Sequence, residues 1–366
     1  MIRFSFKALM VITNLVCAFA LLLSYLALYI SPELFWPISF FGISYPILLV
    51  VNVLFIIFWG ALRKKWFLLS FLLVISGIGK WDDVYTFGWN KSHKEANLTA
   101  MSYNVRLFDL YNWTKNKESR NKIFEVIDDS KPDILCIQEF YYNSNNDFNT
   151  LDTLTKFTKC KNYFIGHTAD VKDLYHWGII TMTKYPIINS GVVPFDEKTD
   201  NISIFTDLII DKDTVRVYNV HLESIRFKSK EYTFIDSVAN KGGKLDKEKT
   251  WNMISKLSRA FKVRAKQVDA IVTHSKLCDY PILICGDFND TPGSYAYHQL
   301  SKDRLDAFSE AGSGFGVTYA GVIPFLRIDY MLYNNNFGQI TDLSVVNADY
   351  SDHFPIVGKF YRKKRD

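Results

Sequence analysis

The 366-residue chain is 48% hydrophobic and 16% aromatic, which excludes a disordered protein and is enough for one large domain and a smaller addition. Its formal net charge is only +5, but residues 226–264 hold eleven Lys/Arg against four Asp/Glu, so the basic character is local. Five cysteines, Cys17, Cys136, Cys160, Cys278 and Cys285, follow no metal-ligand or disulfide spacing and read as buried thiols.

Two uncharged stretches open the chain, Ala8 to Ile30 and Phe40 to Leu62, each matching the ~20 apolar residues that cross a bilayer. Ser31-Pro32 and Trp36-Pro37 break the chain between them. A third apolar run, Trp66 to Gly79, is shorter and also suits an interfacial or re-entrant helix. The expectation is a membrane anchor over residues 1–80 with two to three transmembrane helices, about 8–30, 40–62 and 66–79, and with the lipid bilayer as partner. Buried helices of a soluble protein and a cleaved signal peptide are the competing readings. Arg3 and Lys7 precede the first run and Arg63-Lys64-Lys65 follow the second, so both basic flanks are expected on the cytoplasmic side of the cytoplasmic membrane. If the third run crosses, the rest of the chain lies outside; if it lies on the surface, the rest is cytoplasmic. The extracytoplasmic side is the favoured expectation.

Residues 81–97 read as a linker, and a single domain is expected over 98–366. In it, short apolar runs bounded by Asp, Asn, Gly or Pro predict strands at Leu98–Tyr103, Ile134–Ile137, Gly178–Thr183, Val215–Val220, Pro281–Cys285, Ile328–Tyr333 and Ile356–Phe360. A helix is predicted from about Lys117 to Ser130, ending before Lys131-Pro132. Another starts near Thr250, with Trp251, Ile254, Leu257, Phe261, Ala265, Val268 and Ile271 on one core-facing stripe. The alternation predicts an α/β domain in which two packed sheets are flanked by helices.

Polar residues of chemical interest lie beside the apolar runs. Asn104 follows one strand in SYNVR, Glu139 another in DILCIQE, and His221 another in VYNVHLES. Asp287 and Asn289 follow a fourth in CGDFND, Asp329 sits beside one in RIDYML, and Asp352 and His353 precede the last in SDHFPIVG. Strand ends carried by a packed sheet are where sequence-distant groups converge. Carboxylates of Glu139 and Asp287 with amide oxygens of Asn104 and Asn289 suit Mg²⁺ completed by water and phosphate oxygens, and no thiolate cluster favours zinc. In an extended chain Asp287 and Asn289 would point to one side. His353 with Asp329 is a candidate base pair, and His221 a candidate donor to a phosphoryl oxygen. Taken singly, an Asp-x-Asn is a turn or a cap, and a strand histidine is a core residue. Asp290 reads as part of the turn into Pro292-Gly293.

As an ordered set, QE, NVH, GDFN, RIDY and SDH resemble the endonuclease/exonuclease/phosphatase superfamily of metal-dependent phosphoesterases, the deoxyribonuclease I-like enzymes, over about residues 98–361. The resemblance implies a four-layer α/β sandwich. It implies that Glu139 binds metal, that Asn104 binds metal or phosphate, and that Asp287 and Asn289 orient the attacking water and contact phosphate. His353 becomes general base or phosphate-contacting acid, Asp329 its partner, His221 a phosphate contact and Asp352 a candidate second metal ligand. The implied cofactor is Mg²⁺, with Mn²⁺ as a substitute. The implied function is hydrolysis of a phosphodiester, in nucleic acid or a phospholipid headgroup, by a membrane-tethered enzyme. The alternatives are a non-catalytic membrane-anchored scaffold and a phosphomonoesterase acting on a soluble metabolite. Arg226 to Gly243, basic and aromatic, is placed to frame the site, as is the glycine-rich Gly314 to Gly321; a solvated surface and a plain turn are their simpler readings.

Overall fold

The computed structural model describes residues 2–88, 92–145, 148–197, 199–227, 229–240 and 246–363. The chain opens with α1 (Ile2–Leu26), the short α2 (Pro32–Phe35) and α3 (Ile38–Ile43), then α4 (Tyr45–Ala61) and α5 (Phe67–Ser76). Among the described helices, one is long and apolar enough to cross a membrane, over Phe6–Leu26. The expected second span is divided. α3 stops at Ser44 and α4 restarts with Pro46 in its first turn, leaving seventeen residues. At 1.5 Å per residue that is roughly 25 Å, short of a ~30 Å hydrocarbon core. The first span is also shifted, because the chain turns after Leu26 and residues 27–30 are not helical.

The three longer helices pack together through a buried polar knot: Ser70 Oγ donates to Asn14 Oδ1 at 2.7 Å or to Asn52 Oδ1 at 2.9 Å, and Asn52 Nδ2 donates to Cys17 O at 3.1 Å. Their outer surface is apolar, with Ile12, Val16, Phe19, Ile47, Leu54 and Leu72 all exposed. Cys17 is only partly buried, as is Cys278, so the reading of uniformly buried thiols holds for Cys136, Cys160 and Cys285; all five are free.

The strands follow as β1 (Leu98–Asn104), β2 (Ile134–Asn143), β3 (Asn162–Val171), β4 (Tyr175–Thr183), β5 (Ile187–Val192) and β6 (Ser203–Ile210). They continue as β7 (Asp213–His221), β8 (Ile282–Asp287), β9 (Leu305–Asp306), β10 (Asp329–Tyr333), β11 (Gln339–Val345) and β12 (Ile356–Tyr361). The described residues form two six-stranded mixed sheets, ordered β11-β12-β1-β2-β4-β3 and β5-β6-β7-β8-β10-β9. Intervening helices are α6 (Ser119–Ser130), α7 (Thr150–Phe157), α8 (Ser229–Asn240), α9 (Lys247–Lys276), α10 (Tyr295–Ser301) and α11 (Ala307–Ala311).

Three apolar layers explain the architecture. Ala100, Cys136, Val217, Cys285 and Met331 meet between the sheets. Tyr103, Ile137 and Met182 pack under Ile123 and Ile127 of α6, and Tyr218, Ile284 and Leu332 pack under Val268 and Ile271 of α9. The result is helix, sheet, sheet, helix: the four-layer sandwich expected. One part of the helical stripe departs from expectation, since Trp251 is 67% exposed. A thirty-residue helix spans about 45 Å and overshoots strands of six to nine residues, so its first turns have no sheet beneath them.

Residues 81–88 do not hang free. Arg327 Nη2 donates to Asp83 O at 2.6 Å, the Tyr297 hydroxyl to Asp83 Oδ1 at 3.0 Å, and Thr86 pairs with Gly314 by a short bridge. Residues 89–91 of the expected linker lie outside the described residues.

Candidate active site

Register brings the expected residues together. Asp287, the last residue of β8, sits between His221 at the end of β7 and Asp329 at the start of β10, each its direct cross-strand partner. Asn104 ends β1 in the facing sheet. Glu139 does not follow a strand as expected. It lies inside β2, at a bulge between Ile137 and Phe140, with φ +51°, and the bulge turns its side chain toward the facing sheet's acids.

Asn104 bridges the two acids, its Nδ2 donating to Asp287 Oδ2 at 3.0 Å and to Glu139 Oε1 at 3.3 Å. Asp287 and Asn289 do converge, though not by extended geometry. Asn289 has φ +53°, and its backbone N–H donates to Asp287 Oδ1 at 2.7 Å. Its amide Nδ2 donates to Asp287 Oδ2 at 3.1 Å and to Leu222 O at 3.0 Å, so one amide hydrogen holds Asp287 and the other ties Asn289 to the residue after β7. His353 Nδ1 lies 2.9 Å from Asp329 Oδ2, and its Nε2 lies 3.8 Å from Asp287 Oδ2. His221 Nε2 is buried 3.6 Å from Asp287 Oδ2 and 3.9 Å from Glu139 Oε1, without a hydrogen-bond partner among the described residues. Asp352 is held by Arg106, whose Nε stands 3.3 Å from its Oδ2.

Burial sets the electrostatics. It pushes Glu139 up to about 7, with the charge of Asp352 adding to the effect, and pushes His221 down to about 4. Burial also raises Asp287, against the pull of His353. At His353 burial disfavours the charge, but Asp329 and Asp287 outweigh it and hold its proton affinity well above the ordinary value. Asp287, Asp329 and His353 form a buried group whose ligand-type atoms lie within 4.8 Å of one another.

Several structural partners were not singled out from the sequence. Gln138 and Asn219 precede the motif residues Glu139 and His221, and Gln138 Nε2 donates to Asn219 Oδ1 at 2.7 Å across the sheet interface. Asn219 Nδ2 also reaches Ile137 O and Ile180 O, pinning the two sheets directly behind the acids. Asp290 is more than a turn residue: it is buried and pairs with the buried Arg264, Nε to Oδ2 at 3.0 Å. The glycine-rich loop does reach the site, where the Tyr319 ring sits edge-on to His353 at 5.5 Å and Thr318 Oγ1 accepts from Asp329 N at 3.0 Å. Tyr232 of α8 lies close enough to the Tyr319 hydroxyl to raise its proton affinity, so the basic-aromatic segment borders the site there. Residues 228 and 241–243 of that segment lie outside the described residues.

A family model described as "Endonuclease/Exonuclease/phosphatase family" matches residues 101–353. The chain belongs to the endonuclease/exonuclease/phosphatase family, whose members are hydrolases acting on phosphate esters. Residues 7–84 match a separate domain of unknown function, DUF8431. No curated protein matches the chain. Among solved structures, the catalytic domain of human Nocturnin with bound sulfate is 17% identical, with TM-score 0.51 over 74% of this chain and 94% of that one. A mannosyl-6-phosphatase from Bacteroides thetaiotaomicron is 15% identical, with TM-score 0.51 over 73% of this chain and all (100%) of that one. A family protein from Leptotrichia buccalis is 17% identical, with TM-score 0.49 over 72% of this chain and 100% of that one. At such identities the likeness is one of fold.

Proposed function

We propose that the protein is a membrane-tethered, Mg²⁺-dependent phosphodiesterase that cleaves nucleic acid or a phospholipid headgroup by in-line attack of water. The observation that carries this reading is the placing of Asp287 between the Asp329-held His353 and the partnerless Nε2 of His221. The donor set fits a hard divalent cation. Asn104 Nδ2 bridges the carboxylates of Glu139 and Asp287, the charge of Asp352 bears on Glu139, and oxygen donors dominate. The 35% of the Glu139 side chain that stays exposed gives a cation access. Glu139, Asn104 and Asp352 would hold Mg²⁺ or Mn²⁺, which when bound supplies Lewis-acid neutralisation of the phosphate's charge.

The chain's own groups do the rest. Asp287 takes a proton from the attacking water, whose oxygen bonds to phosphorus as the opposite phosphorus–oxygen bond breaks. His353, kept protonated by Asp329 and Asp287, contacts the phosphate as an acid, and the leaving oxygen takes up a proton to become the alcohol. Asp329 fixes the His353 ring through Nδ1. His221, neutral because it is buried, donates to a phosphoryl oxygen as its charge grows. Asn289 and Asn104 keep Asp287 from rotating. The products are a phosphomonoester and an alcohol.

The helical region supports residence at a membrane. Asn14 Nδ2 reaches Trp66 O, while Tyr25 hydroxyl reaches Leu73 O, so α5 runs alongside α1 and returns the chain to the end opposite Arg63–Lys65. With basic flanks inside, the C-terminal domain is extracytoplasmic. The test uses the full chain in detergent with an aryl phosphodiester, then plasmid DNA, RNA, sphingomyelin, phosphatidylinositol phosphates and soluble phosphomonoesters at fixed Mg²⁺ and salt. Expected is Mg²⁺-dependent diester cleavage that Glu139→Gln, Asp287→Asn and His353→Gln each abolish; wild-type rates in all three would refute the assignment.

A further inference from the structure

We propose that His167, Asp170 and His176 form a second metal site, apart from the candidate active site, that binds a zinc-class divalent transition-metal ion. The three side chains come from the antiparallel pair β3 and β4, where Asp170 lies directly opposite His176. His167 Nδ1 stands 3.0 Å and His176 Nδ1 2.6 Å from the same Asp170 Oδ1, and all three ligand atoms lie within 4.8 Å of one another.

The backbone is built to make this juxtaposition. Residues three apart in a regular strand point to opposite faces, which would separate His167 from Asp170. A register shift between His167 and Ala169 inserts one residue and returns His167 to the face of the other two. The bulge closes onto Gly178, opposite His167, where a Cβ would lie only 2.0 Å from Gly166 O. A side chain at that position would push the strands apart.

Groups around the cluster orient its ligands. The Tyr142 ring stacks on His176 with centroids 4.3 Å apart and planes 15° from parallel, fixing the imidazole plane. Ser144 Oγ lies 3.1 Å from His176 Nε2. Once an ion displaces the Nδ1 hydrogen that His176 shares with Asp170, Ser144 would accept the Nε2 hydrogen and hold the tautomer whose Nδ1 lone pair faces the cluster, the role outer-shell partners play at metal-bound histidines. Two imidazole nitrogens and one carboxylate are a borderline donor set, suited to zinc and its neighbours and poorly suited to Mg²⁺, which prefers the oxygen-rich active site. Three protein ligands leave a position for water. His167 and Asp170 are solvent-exposed, so an ion enters without opening the fold.

The experiment titrates Zn²⁺ into chelator-stripped full-length protein in detergent, by calorimetry, with saturating Mg²⁺ present to occupy the active site. Co²⁺ visible absorption reports histidine ligation independently. Expected is one Zn²⁺ per chain in wild type and in Asp287→Asn, with affinity at least about tenfold weaker in His167→Gln and in Asp170→Asn. Both of those variants should keep wild-type Mg²⁺-dependent hydrolysis, which shows that they fold. Equal Zn²⁺ affinity in wild type and both variants would overturn the proposal, as would Zn²⁺ binding that disappears only with Asp287→Asn, or none at all; the cluster would then be a carboxylate shared by two imidazoles.

Discussion

Gly42 and Gly293 meet backbone to backbone where the N-terminal helices join the C-terminal domain: a Cβ on Gly293 would lie 2.2 Å from Gly42 O, and one on Gly42 2.3 Å from Gly293 O. Gly293 closes the segment that begins at Asp287, so the helical region touches the loop that carries the site. Lys266 with Glu33 at 3.6 Å and the Phe40 ring on Phe261 extend the same junction. Gly293→Ala should force the two backbones apart, cost about 1–3 kcal/mol as overpacking does, and lower hydrolysis by shifting Asp287. Gly60, in α4 with open space where its Cβ would be, is the control, and Gly60→Ala should leave hydrolysis unchanged and not lower stability. Thermal unfolding in detergent and the hydrolysis rate measure the difference.

The His353–Asp329 pair predicts non-additive losses. Asp329→Asn should lower kcat by about 10²-fold or more, because the ring loses the carboxylate that fixes its Nδ1. His353→Gln should cost a similar factor, and the double variant little beyond either single one, since the two act as a unit. Full additivity in a double-mutant cycle on kcat would separate their roles.

Seven strands and the helices α6 and α9 of the C-terminal domain are legible as apolar runs and periodicity, and the eight candidate site residues stand out as polar groups beside apolar runs, although Glu139 lies inside β2 and not at its end. What stayed hidden has physical reasons. β3 is an edge strand with exposed residues on both faces, so it carries no alternation to read. β6 has an apolar run, but Asp207 interrupts it, and only the structure shows that Asp207 is buried against Arg216 at 2.6 Å. Glu139 was legible as a residue but not as a bulge, because register belongs to pairs of strands. Gln138 and Asn219 were part of the quoted motifs, yet their bond crosses two sheets and leaves no local spacing to detect.

If Glu139 holds the metal as proposed, proton and metal compete there. Burial, then Asp352, pushes the carboxyl up to about 7 from an ordinary 4.5, so the metal-free folded protein binds more protons than the unfolded chain between those values. Its contribution to stability therefore falls as pH rises through that window. Mg²⁺ must displace this proton, so apparent affinity should climb from pH 5 to about 7 and then level off. Calorimetry in buffers of different ionisation enthalpy should register proton release at pH 6 that vanishes in Glu139→Gln. Pairing that variant with wild type isolates Glu139 from His221, which burial shifts the opposite way.

Arg264 and Asp290 supply the clearest stability test, because both are almost fully buried, at 1% and 6% exposure. Arg264 spans from α9 to the loop after β8, giving Nε to Asp290 Oδ2 and Nη1 to Glu223 O, each at 3.0 Å. Tyr330 hydroxyl donates to Asp290 O at 2.9 Å, so the loop beyond Asn289 is fastened from two sides. Arg264→Met would leave a buried carboxylate without its counter-ion and should destabilise the fold by about 3–5 kcal/mol. Arg264→Met with Asp290→Asn should recover more than half of that loss, because the uncompensated charge is gone while the packing of Arg264's stem is replaced. Hydrolysis should fall in Arg264→Met even below its unfolding temperature, as the loop that locks Asp287 loses its fastening to α9. A double variant no more stable than Arg264→Met alone would show that the hydrogen bond to Glu223, and not the ion pair, is what holds the loop.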